Sequence, residues 1–390
     1  MSDEFAILKT DIQNYYKLED ATAFEFCAAI YLANKLDTNP VWGFLIAPPS
    51  KLKTDFMELY YRLPEAYPLS TLTPKTLVSG HIDESNPTKD FSLIHQLDGK
   101  MLYLKDFTTV LSMRGEDRNI ILSHLREAYD GDLAANFGNK RGRVSWKGKF
   151  GLLAGVTPAI DRHHAVMNQL GERFISYRLP LVEDDSDEAF NAISQIGKEG
   201  KTRTDFSQRT TVIMQGLVNG LAGVSIECSQ ENKKRIASLS ALIVKARSHV
   251  ERDRYRKNVI VEKPQPEGPA RFAKSIAALA MGHAPLLGHD SVQTATIRFI
   301  EHVAWCSIPP ARRAVLEVLK AKEAASVKEI GEESGLPWAT TDLILEDLEA
   351  LKLTKKDASD HYNVWAASPM FNKLMDKWNG GNSPLGGNGS

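Results

Sequence analysis

A lysine–threonine pair follows the first strongly apolar run of the chain, in "VWGFLIAPPSKLKT". In phosphate-binding loops of the pattern G-x-x-x-x-G-K-[ST], the lysine contacts phosphate oxygens and the hydroxyl binds Mg²⁺. Lys53 and Thr54 match that pair, whereas Ala47 and Leu52 stand at the two glycine positions. Two interpretations stay open, a modified phosphate loop or a lysine-rich turn after a strand, because Leu52 brings a side chain where the backbone must approach phosphates. The candidate loop residues are Pro49, Ser50, Lys51, Leu52, Lys53 and Thr54.

Three later residues supply other groups that phosphate chemistry with Mg²⁺ requires. Asp106 ends the apolar run "MLYLKD", where a carboxylate can hold Mg²⁺, so Thr54 and Asp106 are the candidate metal ligands. Thr157 ends "LLAGVTP", where a hydroxyl can contact a terminal phosphate. Arg173 precedes the last apolar run, in "GERFISYRL", where a guanidinium can reach a neighbouring subunit.

Each of these groups also has a plain structural explanation, and one expected group is missing. The lysine can be a solvated turn residue, the aspartate a helix N-cap and the arginine a surface cation. Phe107 stands directly after Asp106, where a glutamate would activate the attacking water, and Glu116 or Glu127 can replace it. The joint order of these groups at strand ends, where ligands bind in open α/β sheets, favours a nucleotide site.

A basic, glycine-rich stretch precedes the run that ends at Thr157, and it predicts a hairpin that contacts a polyanion. Its cations surround a tryptophan that can either stack on a base or pack on its own sheet. The candidate nucleic-acid residues are Lys140, Arg141, Arg143, Trp146, Lys147 and Lys149. A second basic stretch, Val244–Asn258, interleaves its cations with acids and predicts a salt-bridged exposed helix.

The elements that must position these residues alternate between short apolar runs and helical patterns. The runs are Val41–Ile46, Ser70–Gly80, Met101–Phe107, Phe150–Pro158 and Phe174–Pro180. Helical spacing fills Asp20–Leu36 and Asn119–Gly131, between or beside those runs. The alternation predicts an α/β fold with a parallel, helix-covered sheet.

The remainder of the chain is helical, and its end has the rhythm of a helix-turn-helix with a wing. A helix is predicted from Val327, a turn at Gly335–Pro337, a second helix capped by Thr340 or Thr341, and a two-stranded wing at Leu353–Ala367. The second helix is acidic, which disfavours base readout in a phosphate-lined groove. The predicted domains are a core at 1–185, an all-α lid at 186–306, a winged helix at 307–378 and a flexible tail at 379–390.

Composition restricts the class of protein. The 48 basic and 49 acidic residues give a net charge of −1, so any binding to nucleic acid must be local. Cys27, Cys228 and Cys306 form no C-x-x-C pair, which suits a reducing compartment. No apolar run reaches the roughly 18 residues of a membrane span, and the N-terminus "MSDEFAILKTD" is charged where a signal peptide would be apolar. We therefore expect a cytoplasmic protein that does not bind membranes.

The order of these motifs resembles that of ring-forming AAA-type ATPases with a P-loop, from about Tyr16 to about Arg178. The likeness is greater to ATPases of bacteriophages and mobile elements, in which a loop like "GPPSSGKT" is followed by "STLTPKTLVSG", and "GERF" is similar to a segment of minichromosome maintenance helicases. It implies ATP and Mg²⁺ as cofactors and a hairpin that points into a central pore. The implied roles are Lys53 and Thr54 on phosphate and Mg²⁺, Asp106 on Mg²⁺, Thr157 as first sensor, Arg173 as arginine finger and Arg271, in "PEGPARFAK", as second sensor.

The expected function is that of an ATP-driven motor or remodeller on DNA, helicase-like or translocase-like, in phage or mobile-element replication. Because an arginine finger acts at a neighbour's site, a homo-oligomeric ring, a hexamer by the resemblance, is expected. The alternative is a degenerate ATPase that does not hydrolyse ATP and serves as a DNA-binding scaffold or adaptor through its winged helix. A transcription regulator is a third interpretation, which rests on the winged helix alone.

Overall fold

The computed structural model describes residues 2–82, 85, 90–139, 142–163, 166–167, 171, 173–180, 186–357 and 364–380. The α-helices of these residues are α1 (Ser2–Tyr16), α2 (Thr22–Ala33), α3 (Lys53–Glu58), α4 (Thr108–Leu111), α5 (Gly115–Tyr129), α6 (Ser186–Ser194), α7 (Glu199–Gly220), α8 (Gln230–Ala246), α9 (Ala270–His283), α10 (Thr294–Cys306), α11 (Pro310–Ala321), α12 (Val327–Ser334), α13 (Trp338–Ala350) and α14 (Pro369–Trp378). The strands are β1 (Trp42–Ile46), β2 (Ala66–Leu69), β3 (Met101–Leu104), β4 (Asp132–Asn136), β5 (Arg143–Lys147), β6 (Gly151–Val156), β7 (Phe174–Arg178), β8 (Ala325–Ser326), β9 (Thr354–Asp357) and β10 (Val364–Ala367).

Packing divides the chain into two compact units. The first consists of Met1–His163, Glu172–Glu227 and Ala278–Thr296, and the second of His164–Gly171, Cys228–Ala277 and Ile297–Ser390. Residues 186–227, expected in the lid, therefore belong to the same unit as the sheet. The four-part domain division stays a prediction, since these units follow packing and regroup its segments. No helix in the described part of the chain is long and apolar enough to cross a membrane.

The first unit contains a five-stranded parallel sheet in the order β2-β3-β6-β1-β7. Strands β1, β3 and β6 are buried at every residue, as expected for strands whose apolar runs have no polar alternation. All five strands point the same way, so their carboxyl ends meet at one edge of the sheet. The predicted α/β fold with a parallel sheet is confirmed.

Aromatic side chains fill the core around β1. The rings of Phe44 and Phe174 stack with centroids 3.9 Å apart, and Trp42 packs edge-on against Tyr129 at 5.1 Å. On the other side of β1, Gly43 lets α2 approach closely, because a Cβ there would lie 2.2 Å from Cδ1 of Ile30. These contacts fix β1, which ends at the candidate phosphate loop.

Four of the five predicted strands agree with the structure, and one is wrong. Residues Ser70–Gly80 form no strand, and the second strand is instead β2, which directly precedes them. It contains Pro68, which cannot donate a backbone hydrogen bond and is tolerated because β2 lies at the edge of the sheet. Its residues are only partly buried, so the apolar signal that marks the central strands is absent.

The second unit includes α11 to α14 and a three-stranded sheet in the order β8-β10-β9. Helix α12 begins at Val327 with a capping box between Ser326 and Glu329, and the turn contains Gly335 at φ 69°. The predicted cap of the second helix is wrong, since α13 begins at Trp338 after Pro337. The wing strands β9 and β10 form as expected, and β8 is an additional strand too short to be read from sequence.

The second basic stretch does not form the exposed helix predicted for it. Helix α8 ends at Ala246, and residues 251–261 fold back on themselves through a bridge between Arg252 and Ile260. The acidic residues of α13 bind cations from this region. Asp347 accepts hydrogen bonds from Nε of Arg252 at 2.8 Å and Nη2 of Arg312 at 3.0 Å. Two of the acidic residues of α13, Glu346 and Asp347, therefore form intramolecular ion pairs.

Candidate functional site

The loop between β1 and α3 adopts a backbone conformation that glycine normally supplies. Leu52 has φ 50° and Ser50 has φ 62°, both in the left-handed region. L-residues other than glycine pay about 1–2 kcal/mol for that conformation because Cβ approaches the following carbonyl. Leu52 stands at the second glycine position of the phosphate-loop pattern, and α3 begins at the next residue. The loop thus joins a buried strand directly to a helix, with Leu52 as the residue before that helix.

Lys53 directs its ammonium group back over this loop. Nζ donates hydrogen bonds to the carbonyl oxygens of Ala47, at 2.7 Å, and Pro48, at 2.5 Å. Burial lowers the pKa of Lys53, and the negative charge of Asp106 opposes that shift. The cation therefore lies near the carboxylate, at a position where anionic oxygens could replace the two carbonyls.

Asp106 and Thr157 lie close together, because β3 and β6 are paired up to Leu104 and Ala154. The link between them is Thr108, which the sequence interpretation missed. Its backbone N–H donates to Oδ1 of Asp106 at 2.8 Å, and its hydroxyl accepts from the backbone N–H of Thr157 at 3.0 Å. The Thr108 hydroxyl also donates to that of Thr157 at 3.3 Å. A carboxylate and two hydroxyls are thereby held at the carboxyl edge of the sheet.

Gly155 allows this close approach of the two strand ends. A Cβ at this position would lie 2.6 Å from the carbonyl oxygen of Lys105, and the Gly155 carbonyl accepts a hydrogen bond from Phe107 at 2.8 Å. Since Lys105 directly precedes Asp106, a larger residue would displace the carboxylate. The glycine in "LLAGVTP" was the sequence signal for this contact.

An apolar cavity of about 170 Å³ lies beside the loop, in the first unit. Its lining includes Leu52, Phe56, Tyr177 and Leu179, with residues 16–20 closing another side. Its rim carries an ion pair in which Nζ of Lys51 lies 2.6 Å from Oε2 of Glu188, on α6. A cavity with apolar walls and a few polar groups is suited to a flat heterocycle. The cavity was not predicted, because its walls come from segments more than 100 residues apart in the sequence.

The metal ligands predicted from the sequence are compatible with Mg²⁺ that arrives with a nucleotide. Mg²⁺ typically takes one or two protein ligands, with phosphates and waters completing the octahedron. Thr54 offers a hydroxyl in the first turn of α3, and Asp106 a carboxylate of which one oxygen is held by Thr108. The described residues contain no cluster of three or more His, Cys, Asp and Glu side chains that could hold a metal alone.

Arg173 is placed differently from the other predicted residues. It directly precedes β7, whose first residue pairs with Trp42, so it lies at the amino edge of the sheet, opposite the loop. Its side chain is 5% exposed, donates to Oδ2 of Asp130 at 2.8 Å and lies over the ring of Tyr129 at 5.5 Å. In the structure this guanidinium stabilises the chain's own fold and does not project outward as a surface cation.

Glu127 is also distant from the loop. It lies two residues before Tyr129, whose ring contacts Trp42 at the amino edge of the sheet. Burial lowers the pKa of nearby His124, and the charge of Glu127 counteracts that effect. Glu116 stands at the opposite end of α5, which follows α4 and the Asp106 turn. Of the two candidate bases, Glu116 is therefore the one at the appropriate end of the helix.

Arg271, the predicted second sensor, belongs to the second unit. Nη1 of its guanidinium donates to the carbonyl oxygen of Gly171 at 3.1 Å, within that unit. A second, longer contact of 4.0 Å joins it to Glu267. These contacts neither supply nor exclude a phosphate contact.

The basic stretch before Thr157 forms a hairpin of β4 and β5, but its tryptophan faces inward. Trp146 is 5% exposed, and its ring centroid lies 6.0 Å from that of Phe150. Arg143 and Lys147 point to solvent on the opposite face, where Lys147 lies 3.6 Å from Asp132. A stacking role for Trp146 is therefore wrong, and the packing alternative explains it.

The remaining cations of this stretch do not form one surface. Nζ of Lys149 donates to the carbonyl oxygen of Leu36 at 2.9 Å, and burial lowers the pKa of this lysine. Lys140 and Arg141 lie outside the described residues. Only Arg143 and Lys147 are thus seen as exposed cations of the hairpin, and they fit phosphate contacts without base readout.

The groups that converge at the carboxyl edge are Lys53, Asp106, Thr108 and Thr157, beside the apolar cavity. They combine one cation, one carboxylate and two hydroxyls on a loop with an unusual backbone conformation. Comparison of the sequence with protein-family models and with curated proteins gives no significant match to either.

Proposed function

We propose that the chain binds ATP with Mg²⁺ at the carboxyl edge of its sheet and acts as a P-loop ATPase of the AAA type. The observation that carries this proposal is the conformation of the loop after β1. Leu52 adopts φ 50° at a glycine position, and Lys53 directs its ammonium over the loop to the carbonyl oxygens of Ala47 and Pro48, within the electrostatic influence of Asp106. A solvated lysine in an ordinary turn would require neither feature. Ligands of open α/β sheets bind at this edge.

Under this proposal each part of the nucleotide meets a different group of residues. Lys53 would exchange its two carbonyl partners for phosphate oxygens, and Thr54 and Asp106 would hold Mg²⁺. Thr108 and Thr157 offer hydroxyls next to Asp106, where the terminal phosphate would lie. The base would enter the apolar cavity beside Leu52.

Hydrolysis requires a group that orients the attacking water, and Glu116 is the candidate we propose. Phe107, at the position after Asp106, has no group that can accept a proton or a hydrogen bond from water, and it is fully buried. Glu116 begins α5, a helix that starts near the end of the sheet where the other groups meet. Glu127 is the weaker candidate for the reasons of position given above.

The resemblance extends the proposal to a ring-forming motor on DNA, helicase-like or translocase-like, in phage or mobile-element replication. Two observations support this extension. The hairpin of β4 and β5 precedes the strand of Thr157 and exposes Arg143 and Lys147. Helices α11 to α13 with β8 to β10 have the order of a winged helix, with α13 serving as a packing element because its acids bind Arg252 and Arg312.

A second candidate function, a nucleotide-binding or nucleotide-free scaffold without hydrolysis, is favoured by Arg173. This guanidinium is 5% exposed and paired with Asp130, whose side chain is 54% exposed, so acting at a neighbour's phosphate would require drawing the arginine out of its own fold. Withdrawing it would break this ion pair and its packing over the Tyr129 ring, which costs free energy. A ring that hydrolyses ATP with this arginine must therefore recover that cost on assembly.

ATP binding and turnover by Lys53→Ala, Asp106→Asn and the wild-type protein test the proposal. We expect Lys53→Ala to lose nucleotide affinity by at least about tenfold and Asp106→Asn to lose turnover while keeping part of the Mg²⁺-independent binding. Lys100→Ala is the matched control, because this lysine also caps a backbone carbonyl, that of Pro64 at 3.3 Å, but at the amino edge of the sheet.

Turnover that is abolished by Lys53→Ala and stimulated by DNA supports the motor. Binding without turnover in the wild type supports the scaffold. Equal nucleotide affinity of the wild type, Lys53→Ala and Lys100→Ala would show that the loop after β1 is no phosphate site. The ATPase would then lose its basis, and only the nucleotide-free scaffold would be left.

A further inference from the structure

The folded-back segment 251–261 of the second unit is a short hairpin, called here the tyrosine hairpin. The backbone N–H of Asp253 donates to the carbonyl oxygen of Val259 at 2.9 Å, and that of Val261 donates to Glu251 at 2.9 Å. The carboxylate of Asp253 caps the turn by accepting from the N–H groups of Tyr255 and Arg256. The turn conformation is therefore fixed by hydrogen bonds from its own residues.

The base of the tyrosine hairpin is clamped to α13. Arg252 donates to the carbonyl oxygen of Leu343 at 2.7 Å, to Oε2 of Glu346 at 3.2 Å and to Oδ1 of Asp347 at 2.8 Å. Asp347 is held in turn by Arg312, which is 8% exposed. Because one arginine joins the hairpin to three positions of a helix, the tip projects from a rigid base.

The tip of the hairpin is basic and carries an exposed aromatic ring. Arg254, Tyr255, Arg256 and Lys257 are all exposed, and the tyrosine is 90% exposed. Asp253 lies 3.8 Å from Arg256, at the limit of an ion pair. Among the described residues, no carboxylate lies within ion-pair distance of Arg254 or Lys257. The exposed tyrosine ring and the cations on either side of it thus lie together on one hairpin tip.

We propose that the tyrosine hairpin binds single-stranded nucleic acid, with the cations on successive phosphates and the Tyr255 ring stacked on a base. Base–aromatic stacking and a positively charged path along the backbone are the two components of such binding. A duplex hides the faces of its bases, so a ring on a hairpin tip can stack only on an unpaired base. Trp146 in the hairpin of β4 and β5 is buried and cannot provide this contact.

The composition of the tip favours phosphates over other partners. Three cations within four residues, beside one exposed ring, match the alternating phosphates and bases of a single strand. The inference goes beyond the proposed ATPase activity, because the tyrosine hairpin shares no residue with the site at the sheet edge and needs no nucleotide. It therefore holds or fails independently of the loop after β1.

Fluorescence anisotropy with labelled oligothymidine and with a labelled duplex, without ATP, tests the inference on the full chain. We expect tighter binding of the single strand, about 5- to 100-fold weaker binding by Tyr255→Ala, and near wild-type binding by Tyr255→Phe, which keeps the ring. Replacing Arg254, Arg256 and Lys257 by alanine should reduce the slope of log K against log salt by about 2, since each phosphate contact on a single strand contributes about 0.7.

Two controls come from the same unit. Trp338→Ala removes another aromatic residue that is 70% exposed, and Lys233→Ala with Lys234→Ala removes two exposed cations of α8. Both should leave oligothymidine binding unchanged. All altered side chains are exposed, so circular dichroism should show intact folding. Binding by Lys53→Ala equal to wild type separates this site from the ATP site.

Oligothymidine affinity of Tyr255→Ala equal to that of the wild type overturns the stacking contact and with it the inference. The inference is also overturned if the duplex binds more tightly than the single strand and Tyr255→Ala leaves both affinities unchanged. Absence of any nucleic-acid binding would likewise overturn it.

Discussion

Leu52 combines a backbone conformation suited to a phosphate loop with a side chain that such loops exclude. Its φ of 50° is one that glycine adopts without cost. Its side chain lines the cavity beside the loop together with Phe56. These two properties have opposite consequences for a nucleotide, since the backbone is preformed while the side chain restricts access to it.

Substitution of Leu52 separates these two effects. We expect Leu52→Gly to bind ATP about tenfold more tightly than the wild type, a gain of about 1.4 kcal/mol, because phosphates can then approach the backbone. Leu52→Ala should gain less, since it keeps a Cβ and the strained conformation. Isothermal titration calorimetry measures both affinities. Weaker binding by both variants would mean that the Leu52 side chain contacts the base and is itself part of the site.

Among the elements, α13 shows how a helix that looks unsuited to one role serves another. Its acids disfavour docking into a phosphate-lined groove. In the structure Asp347 bridges Arg252 and Arg312, and its side chain is 15% exposed. Burial lowers the pKa of Arg312, and the carboxylate of Asp347 opposes that shift. Asp347 is therefore the carboxylate that stabilises the charge of Arg312.

Asp347→Ala should therefore destabilise the second unit by about 3 kcal/mol, because it leaves the buried guanidinium of Arg312 without its carboxylate. Asp342→Ala removes the same charge from the same helix and should change stability by less than about 0.5 kcal/mol. Urea unfolding measures both free energies. Equal effects of the two variants would show that the charge of the helix, and not the bridge, governs stability. Asp347→Ala should also weaken oligothymidine binding by loosening the base of the tyrosine hairpin.

Elements with an unbroken apolar signal were predictable from the sequence, and those whose structure depends on distant partners were not. Strands β1 and β6 are buried at every residue, and their sequences contain no polar interruption. Strand β2 was not predicted, because it contains Pro68 and its residues are only partly buried. The orientation of Arg173 depends on Asp130, 43 residues earlier in the chain, and local pattern cannot report such a contact.

The residues of the candidate site also divide into those that the sequence pattern predicts and those that it does not. Lys53, Asp106 and Thr157 were predicted because each directly follows an apolar strand or its loop. Thr108, which joins the last two, lies on the short α4 and carries no motif of its own. The positive φ of Leu52 could not be predicted either, because a leucine does not by itself indicate this backbone conformation.

At the scale of the whole first unit, a buried carboxylate links segments that are far apart in the sequence. Glu25 on α2 is 7% exposed and lies 2.9 Å from Nε2 of His283, which is 258 residues away in sequence. It also forms an ion pair with Lys9 on α1. Nδ1 of His283 lies 3.2 Å from the hydroxyl of Thr296, so the ring is held on both sides. One carboxylate therefore ties together three helices of this unit.

The pH dependence of unfolding should report this link. Burial raises the pKa of Glu25, but the hydrogen bonds and charges of His283 and Lys9 outweigh that effect and lower it below its ordinary value of 4.5. A lowered pKa means that the carboxylate stabilises the folded state fully above its pKa in the unfolded chain, and that this contribution is lost as pH falls through its pKa in the folded protein.

Glu25→Gln should therefore lower the free energy of unfolding by about 3 kcal/mol at pH 7. This is the lower part of the range for a broken buried pair, because Lys9 is partly exposed. The loss of stability of the wild type below about pH 4.5 should be shallower in this variant. Asp3→Asn, which removes an exposed carboxylate from α1, should leave the pH profile unchanged, whereas parallel profiles for the wild type and Glu25→Gln would show that Glu25 contributes nothing through its charge.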